Sequence, residues 1–216
     1  MNVIFGSAGF AKEVDWIIHD LYESKQIDLR PNFFVSKENF GEVINGVQII
    51  DEESYFNFHD LNKNKINNVF LAVGNPIIKY RIHQSLKFSE NFTYPNLIHP
   101  SSIFDKRKDK VKMGVGNIIC ANNTITTDIV FGNFVHVNLD CTIGHDTKIN
   151  DYVTISPGSH ISGNVNIGKN VFIGTGAVIL ERINICDNTI IGAGSVVTKS
   201  ITESGTYIGT PARKIK

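Results

Sequence analysis

An aliphatic or aromatic residue recurs at every sixth position from Ile119 to Val197, and this repeat constrains the fold more than any other feature. The repeated positions are Ile119, Ile125, Phe131, Val137, Ile143, Ile149, Ile155, Ile161, Ile167, Ile173, Ile179, Ile185, Ile191 and Val197. A period of six residues fits neither an α-helix nor a hairpin. The repeat therefore predicts a parallel β-solenoid, in which three hexads form one triangular coil and the repeated side chains stack inside.

Composition and charge narrow the class of protein. The 216 residues have a formal net charge of zero, without a basic block, so we expect no nucleic-acid partner. We also expect no membrane span, because no apolar stretch approaches the length needed to cross a bilayer. The start of the chain lacks the regions of a signal peptide, and Cys141 falls on an inward position that favours a buried thiol. Together these features predict a cytoplasmic protein.

The chain divides into two regions of different pattern. Residues 1–95 alternate short apolar runs with helical spacings, which predicts a small N-terminal α/β domain of Rossmann type. Residues 96–216 hold the solenoid and a C-terminal tail, so the protein is expected to be mainly β. We expect the N-terminal domain to cap one end of the solenoid. The flat sides of the solenoid predict a homo-oligomer, most simply a trimer.

His145 and Asp146 are the first candidates for chemistry. Residues 18 apart lie directly above one another in such a coil, and the third and fourth residues of a hexad form its outward corner. His145 and Asp146 occupy one corner, with Gly163 above His145 and Thr127 below it. An outward histidine with a gap above it and a carboxylate beside it suits a general base. A solvated turn histidine is the alternative interpretation.

A column of glycines forms a second candidate. Gly158, Gly176 and Gly194 are 18 residues apart, with Thr175 and Ala193 beside them. The glycines either satisfy a turn that requires positive φ or leave a strip without side chains for a long, thin ligand. The two interpretations are compatible.

The histidines do not predict a metal site. His136, His145 and His160 are expected to lie at three different corners, so one subunit cannot gather them. The remaining histidines are expected to be surface or packing residues without convergent partners: His19, His59, His83 and His99.

The turn between Gly6 and Gly9 opens a helix and is therefore a favourable place for a phosphate. It lacks the full GxGxxG pattern, and a purely structural turn is the alternative. The second strand ends in Ser36 and Lys37 rather than in an acidic residue, which argues against NAD. A nucleotide or nucleotide-sugar is the better hypothesis.

Several segments together resemble one family closely. They are the hexads, residues 6–13 (GSAGFAKE), residues 143–146 (IGHD), and the shorter runs at 73–75, 98–100 and 209–212. The chain resembles the left-handed β-helix acyltransferases that include sialic acid O-acetyltransferases and bacterial nucleotide-aminosugar N-acetyltransferases. The left-handed sense of the coil is implied by this resemblance alone.

The resemblance implies roles for individual residues. His145 takes a proton from the acceptor and Asp146 supports it. Acetyl-CoA lies between neighbouring subunits of a trimer, against Thr154, Gly163, Thr175, Ala193 and Gly194. The nucleotide-sugar is held by Ser7, Ala8, Gly9, Ser36, Lys37, Gly74 and Asn138. The family often has two aspartates where this chain has Ser36 and Lys37, so the nucleotide base stays open.

The sequence thus predicts an acetyl-CoA-dependent N-acetyltransferase that acts on a UDP- or dTDP-linked 4-amino-4,6-dideoxy sugar for bacterial surface glycans such as O-antigen. His145 is the general base, the transfer is direct, and no metal is needed. Sialic acid O-acetylation is the runner-up. A metal-dependent carbonic anhydrase-like solenoid and a non-catalytic scaffold are further alternatives. The sequence leaves open the sugar, the carbon that bears the acceptor group and the acyl chain.

Overall fold

The computed structural model describes residues 1–24, 30–61, 66–86 and 91–215, and for residues 58–61 it describes the backbone only. The side chain of His59 therefore lies outside the described residues. The N-terminal strands are β1 (Asn2–Phe5), β2 (Phe33–Val35), β3 (Val43–Ile44), β4 (Val47–Ile50), β5 (Asn67–Leu71) and β6 (Phe92–Thr93). The helices found in the described residues are α1 (Gly9–Glu23), α2 (Glu52–Leu61) and α3 (Pro76–Leu86). No helix in these ranges is long and apolar enough to cross a bilayer.

The N-terminal strands form one sheet in the order β3-β4-β2-β1-β5-β6. All its pairings are parallel except the hairpin of β3 and β4. Helix α1 packs on one face, against Ile4 and Phe70, while α2 and α3 contribute Tyr55 and Leu86 to the other. Burial on both faces explains why these strands are short, continuous apolar runs. The assignment of residues 1–95 as a separate Rossmann-type domain stays a prediction.

The rest of the chain is a parallel β-solenoid, as the hexads predict. Its strands are β7 (Leu97–Ile98), β8 (Ile103–Phe104), β9 (Val111–Met113), β10 (Ile118–Ile119), β11 (Thr124–Ile125), β12 (Ile129–Phe131), β13 (His136–Val137), β14 (Thr142–Ile143), β15 (Lys148–Ile149), β16 (Thr154–Ile155), β17 (His160–Ile161), β18 (Asn166–Ile167), β19 (Phe172–Ile173), β20 (Val178–Ile179), β21 (Asn184–Ile185), β22 (Ile190–Ile191), β23 (Val196–Val197), β24 (Thr206–Ile208) and β25 (Arg213–Lys214).

Over residues 91–215, which are described without a break, these strands form three sheets. The docking face is the sheet β25-β24-β22-β19-β16-β13-β10-β7; the second face runs from β23 to β8, and the third from β21 to β9. Ile119 pairs with Val137, Val137 with Ile155 and Ile155 with Ile173, which confirms the coil of 18 residues. The repeated side chains form one core along the axis, and Cys141 is buried in it as a free thiol.

The corners share one backbone conformation. The fourth residue of each hexad, from Asn122 to Asn188, has a φ between 56° and 61° wherever it is not glycine. Asn and Asp, which tolerate this left-handed conformation best, fill most of these positions. The turns fall at the third and fourth positions of the hexads, as the repeat predicts.

The N-terminal sheet and its helices pack against the side of the solenoid. Phe10 of α1 contacts His136, with ring centroids 5.0 Å apart, and Asp20 Oδ2 lies 2.9 Å from His99 Nε2. Lys79 of α3 donates from Nζ to the Val153 carbonyl oxygen at 3.2 Å. The expectation that this region caps an end of the solenoid is therefore wrong. Phe10 of α1 and Lys79 of α3 meet partners along the docking face, which an open end does not offer.

Two aromatic corner residues hold α3 in place. Phe134 and Tyr152 stack with centroids 5.4 Å apart and planes at 6°, and both have the left-handed backbone. That backbone costs a bulky residue about 1–2 kcal/mol. His83 Nδ1 lies 2.7 Å from the Tyr152 hydroxyl, and the His83 ring packs on Phe134. The contacts of this stack with α3 offset the backbone strain. His83 and His99 are packing residues, as expected, but both have partners, contrary to expectation.

Candidate active site

A cleft of about 580 Å³ opens at the carboxyl edge of the N-terminal sheet. We call it the sheet-edge cleft. Its polar and glycine lining residues are Gly6, Ser7, Ser36, Lys37, Glu38, Glu52, Gly74, Arg81 and Ser85, and its apolar walls come from Phe5, Ala8, Phe10, Val35, Ala72, Val73, Ile78 and Ile82. Ligands of open α/β sheets bind at this edge, because several strands deliver loops to it.

The turn before α1 is built close to the strand beside it. Gly6 has a φ of 131°, and a Cβ there would lie 2.6 Å from the Ala72 carbonyl oxygen, so only glycine fits. The Ser7 hydroxyl donates to Ser36 Oγ at 2.9 Å and joins the ends of β1 and β2. Within residues 1–24, which are fully described, α1 has no side-chain cap and no acidic residue in its first turn. Its first N–H groups therefore face the cleft side without a competing anion.

The predicted substrate residues fall into two groups. Ser7, Ala8, Ser36, Lys37 and Gly74 line the cleft together. Gly9 begins α1 and does not line it, and Asn138 lies on the solenoid, where its Oδ1 accepts from the Leu139 amide at 2.7 Å.

Sequence reasoning missed the charged residues that complete the cleft, namely Glu38, Glu52 and Arg81. Lys37 Nζ lies 3.9 Å from Glu52 Oε2 across the cleft mouth. The signal for Glu52 was present, because it follows the apolar run of β4, and strand ends at the same sheet edge converge.

His145 and Asp146 form a hydrogen-bonded pair at the corner between the second and third faces. His145 Nδ1 and Asp146 Oδ2 are 2.8 Å apart, and both side chains are more than half exposed. The carboxylate accepts from the Nδ1–H tautomer, which leaves the lone pair on Nε2. No described residue hydrogen-bonds Nε2. The pair presents a proton acceptor to whatever approaches this corner.

The space above His145 is occupied by its own imidazole. A Cβ on Gly163 would lie 2.6 Å from His145 Nε2 and 2.8 Å from Cε1. The expectation of an empty gap is therefore wrong: the ring fills it, and Gly163 is the residue that allows this. The predicted stacking of the two positions is correct, since the Asn164 amide donates to the His145 carbonyl at 2.7 Å.

The glycine strip, defined as Gly158, Gly176 and Gly194, satisfies both interpretations of the column. Their φ angles are 64°, 68° and 66°, and a Cβ added at any of them would meet nothing within 4 Å. Among the described residues, none accepts a hydrogen bond from the amides of Gly163, Thr175 or Ala193. Thr175 and Ala193 are exposed, so the strip offers free backbone donors along an open surface.

Between the strip and His145 lies the second face, with a shallow groove of about 250 Å³. Its lining residues are Thr124, Thr126, Thr142, Ile143, Gly144, His160, Ile161 and Ser162. The groove lies on the face between the two outward sites, and Gly144 of its lining directly precedes His145.

Thr154 does not belong to this surface. It lies on the docking face with 5% of its surface exposed, and its Oγ1 is 3.1 Å from Lys79 Nζ. The predicted contact with CoA is inconsistent with this burial. The Thr154 side chain points away from the solenoid core, as its hexad position predicts, but α3 covers it.

Beside Thr154 lies a second histidine, His136, whose burial the sequence did not predict. His136 pairs in register with Thr154, and both its ring nitrogens are buried, with the Leu71 backbone close by. Burial is the main cause that lowers the pKa of His136 well below its usual value, and the nearby Lys79 adds to it. Burial likewise lowers the pKa of Lys79.

The histidines are not all corner residues, contrary to expectation. His136 lies in β13 on the docking face and His160 in β17 on the second face, whereas His145 is at a corner. In the described part of the chain, no three His, Cys, Asp or Glu side chains are placed to hold a metal ion.

Comparison with known proteins places this architecture in a family. The bacterial transferase hexapeptide model of six repeats matches residues 164–199. A GDP-perosamine N-acetyltransferase of Escherichia coli is 32% identical over 157 residues. The chain belongs to the hexapeptide-repeat, left-handed β-helix sugar acyltransferases. The alignment covers 72% of the chain and 66% of this relative, so it spans slightly less than two thirds of the relative's length.

Solved structures of other members of the family share the whole fold. The acetyltransferase domain of PglB from Neisseria gonorrhoeae, solved with acetyl coenzyme A, has a TM-score of 0.85 and 28% identity, covering 99% of this chain and 98% of that one. A perosamine N-acetyltransferase from Caulobacter crescentus, solved with CoA and GDP-perosamine, has a TM-score of 0.86. At 24% identity, over 98% of this chain and 95% of that one, the second likeness concerns the fold alone.

Proposed function

We propose that this family member transfers the acetyl group of acetyl-CoA to the amine of a nucleotide-linked amino sugar. The observation that carries the proposal is the His145–Asp146 pair, with Nδ1 held by the carboxylate and Nε2 left without a partner among the described residues. The 32% identity to a GDP-perosamine N-acetyltransferase supports the acceptor class. The family resemblance further supports a cytoplasmic role in the synthesis of bacterial surface glycans.

The chemical step follows from the geometry at His145. The amine nitrogen attacks the thioester carbonyl carbon, and His145 Nε2 accepts the proton that the nitrogen loses. The C–S bond then breaks, and His145 returns the proton to the departing sulfur. Asp146 stabilises the imidazolium between these events. No covalent enzyme intermediate is needed for this transfer.

The backbone supplies the remaining electrostatics. The free N–H of Gly163 lies beside the imidazole, where it can donate to the oxyanion of the tetrahedral intermediate. The amides of Thr175 and Ala193, beside the glycine strip, can donate to the carbonyl groups of the CoA arm. The residues named here fit acetyl-CoA as a co-substrate, and none of the steps requires a metal.

The acceptor occupies the sheet-edge cleft in this proposal. The diphosphate lies at the turn before α1, formed by Ser7, Ala8 and Gly9, where an uncapped helix start favours an anion. The amino sugar then points past Gly74 toward the solenoid. We propose a homotrimer in which neighbouring subunits complete each site, because the cleft and the glycine strip lie on separate parts of one chain.

The test is the variant His145→Ala. We expect the rate of acetyl transfer to fall at least about 100-fold, because general-base catalysis is lost, while acetyl-CoA binding changes little. Release of the free thiol measures turnover, and calorimetry measures binding. His19→Ala is the matched control, since His19 is exposed on α1, far from this corner. Near-normal turnover of His145→Ala would refute the assignment.

The acceptor class is tested separately. GDP-, UDP- and dTDP-linked amino sugars are each supplied with acetyl-CoA, and a sialic acid is supplied in parallel. We expect thiol release with a nucleotide-linked amino sugar and none with the sialic acid. Transfer to the sialic acid hydroxyl alone would replace N-acetylation by O-acetylation.

A further inference from the structure

We infer that the Lys37–Glu52 pair at the mouth of the sheet-edge cleft selects guanine as the base of the nucleotide-sugar. This inference rests on the proposed function, because it assumes that a nucleoside diphosphate occupies the cleft. It goes further by assigning the base and the residues that recognise it.

The orientation of the nucleotide follows from where the solenoid lies. The cleft spans the ends of β4, β2, β1 and β5 in the order of the sheet. Helices α1 and α3, which follow β1 and β5, are both fastened to the solenoid, α1 through Phe10 and α3 through Lys79 and His83. The reacting sugar must reach the solenoid and therefore lies on the β5 side, past Gly74. The base then lies at the opposite end, beside the residues that follow β2 and β4.

That end of the cleft suits a flat heterocycle. Val35, the last residue of β2, provides an apolar wall there, and the charged groups stand at the rim. The Ser36 hydroxyl accepts from the Glu38 amide at 3.1 Å, and this contact fixes the turn that carries Lys37. Glu52 begins α2, and about one third of its side chain is exposed. The backbone that carries the Glu52 carboxylate is therefore fixed by the helix and is not part of a loop.

The pair matches the hydrogen-bonding edge of one base. A carboxylate only accepts hydrogen bonds, and a lysine ammonium only donates them. Guanine presents adjacent N1–H and N2–H donors for both carboxylate oxygens, with its O6 acceptor beside them for Lys37. Uracil and thymine place a second carbonyl oxygen where guanine has its amino group, so the Glu52 carboxylate would repel them. Adenine has no carbonyl oxygen for Lys37, and specificity here combines attraction with repulsion.

The structure leaves both groups able to turn to a ligand. Lys37 Nζ and Glu52 Oε2 are 3.9 Å apart, beyond hydrogen-bonding distance, and Lys37 is 79% exposed in its side chain. Such exposed pairs contribute little to stability. Replacing one member should therefore alter ligand choice without unfolding the protein.

The experiment measures binding of GDP, IDP and UDP to the full chain by calorimetry, without acetyl-CoA. IDP is guanosine diphosphate without the N2 amino group, so it reports the Glu52 contact directly. We expect the wild type to bind GDP at least about tenfold more tightly than IDP or UDP. Glu52→Gln should lose most of this preference, because the amide offers only one acceptor oxygen.

The matched control is Glu53→Gln, which makes the same change one residue away in the first turn of α2 and outside the cleft lining. It should keep the preference of the wild type. Equal binding of GDP and UDP by the wild type, or an unchanged GDP-to-IDP ratio in Glu52→Gln, would overturn the guanine assignment and leave the acetyl-transfer proposal standing. Binding of no nucleotide at all would overturn both.

Discussion

Gly163 acts on the candidate base through its lack of a side chain. The edge of the His145 imidazole occupies the volume that a Cβ at position 163 would fill. The histidine is therefore held between the coil above it and the Asp146 carboxylate beside it. The sequence predicted the contact with Asp146 correctly. It did not predict the contact with the coil above, because the stacking of positions 145 and 163 does not reveal that the imidazole itself fills the gap.

Gly163→Ala tests this arrangement. We expect kcat to fall about tenfold or more, because the methyl group displaces the imidazole from its position. The melting temperature should change little, since the corner is exposed. Thr127→Ala, one coil below His145, removes atoms instead of adding them and should keep kcat near normal. A normal kcat in Gly163→Ala would mean that the ring position does not matter for transfer.

His136 gives the folded protein a pH dependence of its own. Its pKa is well below the usual value because it is buried, so the folded protein keeps it neutral, while the unfolded chain takes up a proton near pH 6.5. The unfolded state then binds more protons, and stability falls as the pH drops below about 6.5. Each pH unit costs about 1.4 kcal/mol until the pKa of the folded state is reached.

The variant His136→Phe removes this contribution while keeping a ring against Phe10. Between pH 7 and pH 5 it should lose less of its unfolding free energy than the wild type, by up to about 2 kcal/mol. Urea unfolding at several pH values measures the difference, and Lys79 is present in both proteins. His19→Phe, at an exposed site, should follow the wild type. Parallel curves for His136→Phe and the wild type would contradict this account.

At the scale of the elements, the sequence predicts the solenoid strands better than it predicts where the helices pack. Every repeated residue from Ile119 to Val197 is buried, because each two-residue strand decides its own inward side chain. The docking of the N-terminal region was not predictable in this way. It depends on the shapes of Phe134 and Tyr152, two residues in a backbone conformation that aromatic side chains seldom adopt.

The same limit explains the residues that the sequence misplaced. Thr154 looked outward by its hexad position, and it does point away from the solenoid core, but α3 lies over it. Lys79 drew no attention, because lysine is seldom buried. In contrast, the family resemblance assigned Ser7, Ser36, Lys37 and Gly74 to one site, and the structure brings them together because strand ends in a parallel sheet meet at one edge. The packing of α3 decides the first set, and the topology of the sheet decides the second.

For the whole molecule, we propose that exposed apolar side chains on the solenoid contact further copies of the chain in the trimer. Ile190 of β22 and Ile208 of β24, two adjacent strands of the docking face, are exposed by 46% and 44%. We expect light scattering to give a particle three times the 24.0 kDa of one chain. Ile190→Glu should lower that mass and reduce turnover with it, because a charge would be buried at the contact.

Glu181→Gln, which removes a charge at an exposed corner, should leave the trimer intact. A wild type that runs as a monomer would contradict the proposed shared site. A full-sized trimer of Ile190→Glu would move the interface to another face.

The contacts described above between the N-terminal region and the solenoid reach as far along the chain as Thr154, and the glycine strip begins at Gly158. The surfaces proposed for the acceptor and for the acyl donor therefore belong to successive stretches of chain. Because each coil repeats the same corner conformation, a coil added after Gly194 would lengthen the strip by about 4.8 Å and leave the sheet-edge cleft in place. In this proposal the length of the donor surface and the choice of sugar are set by separate parts of the chain.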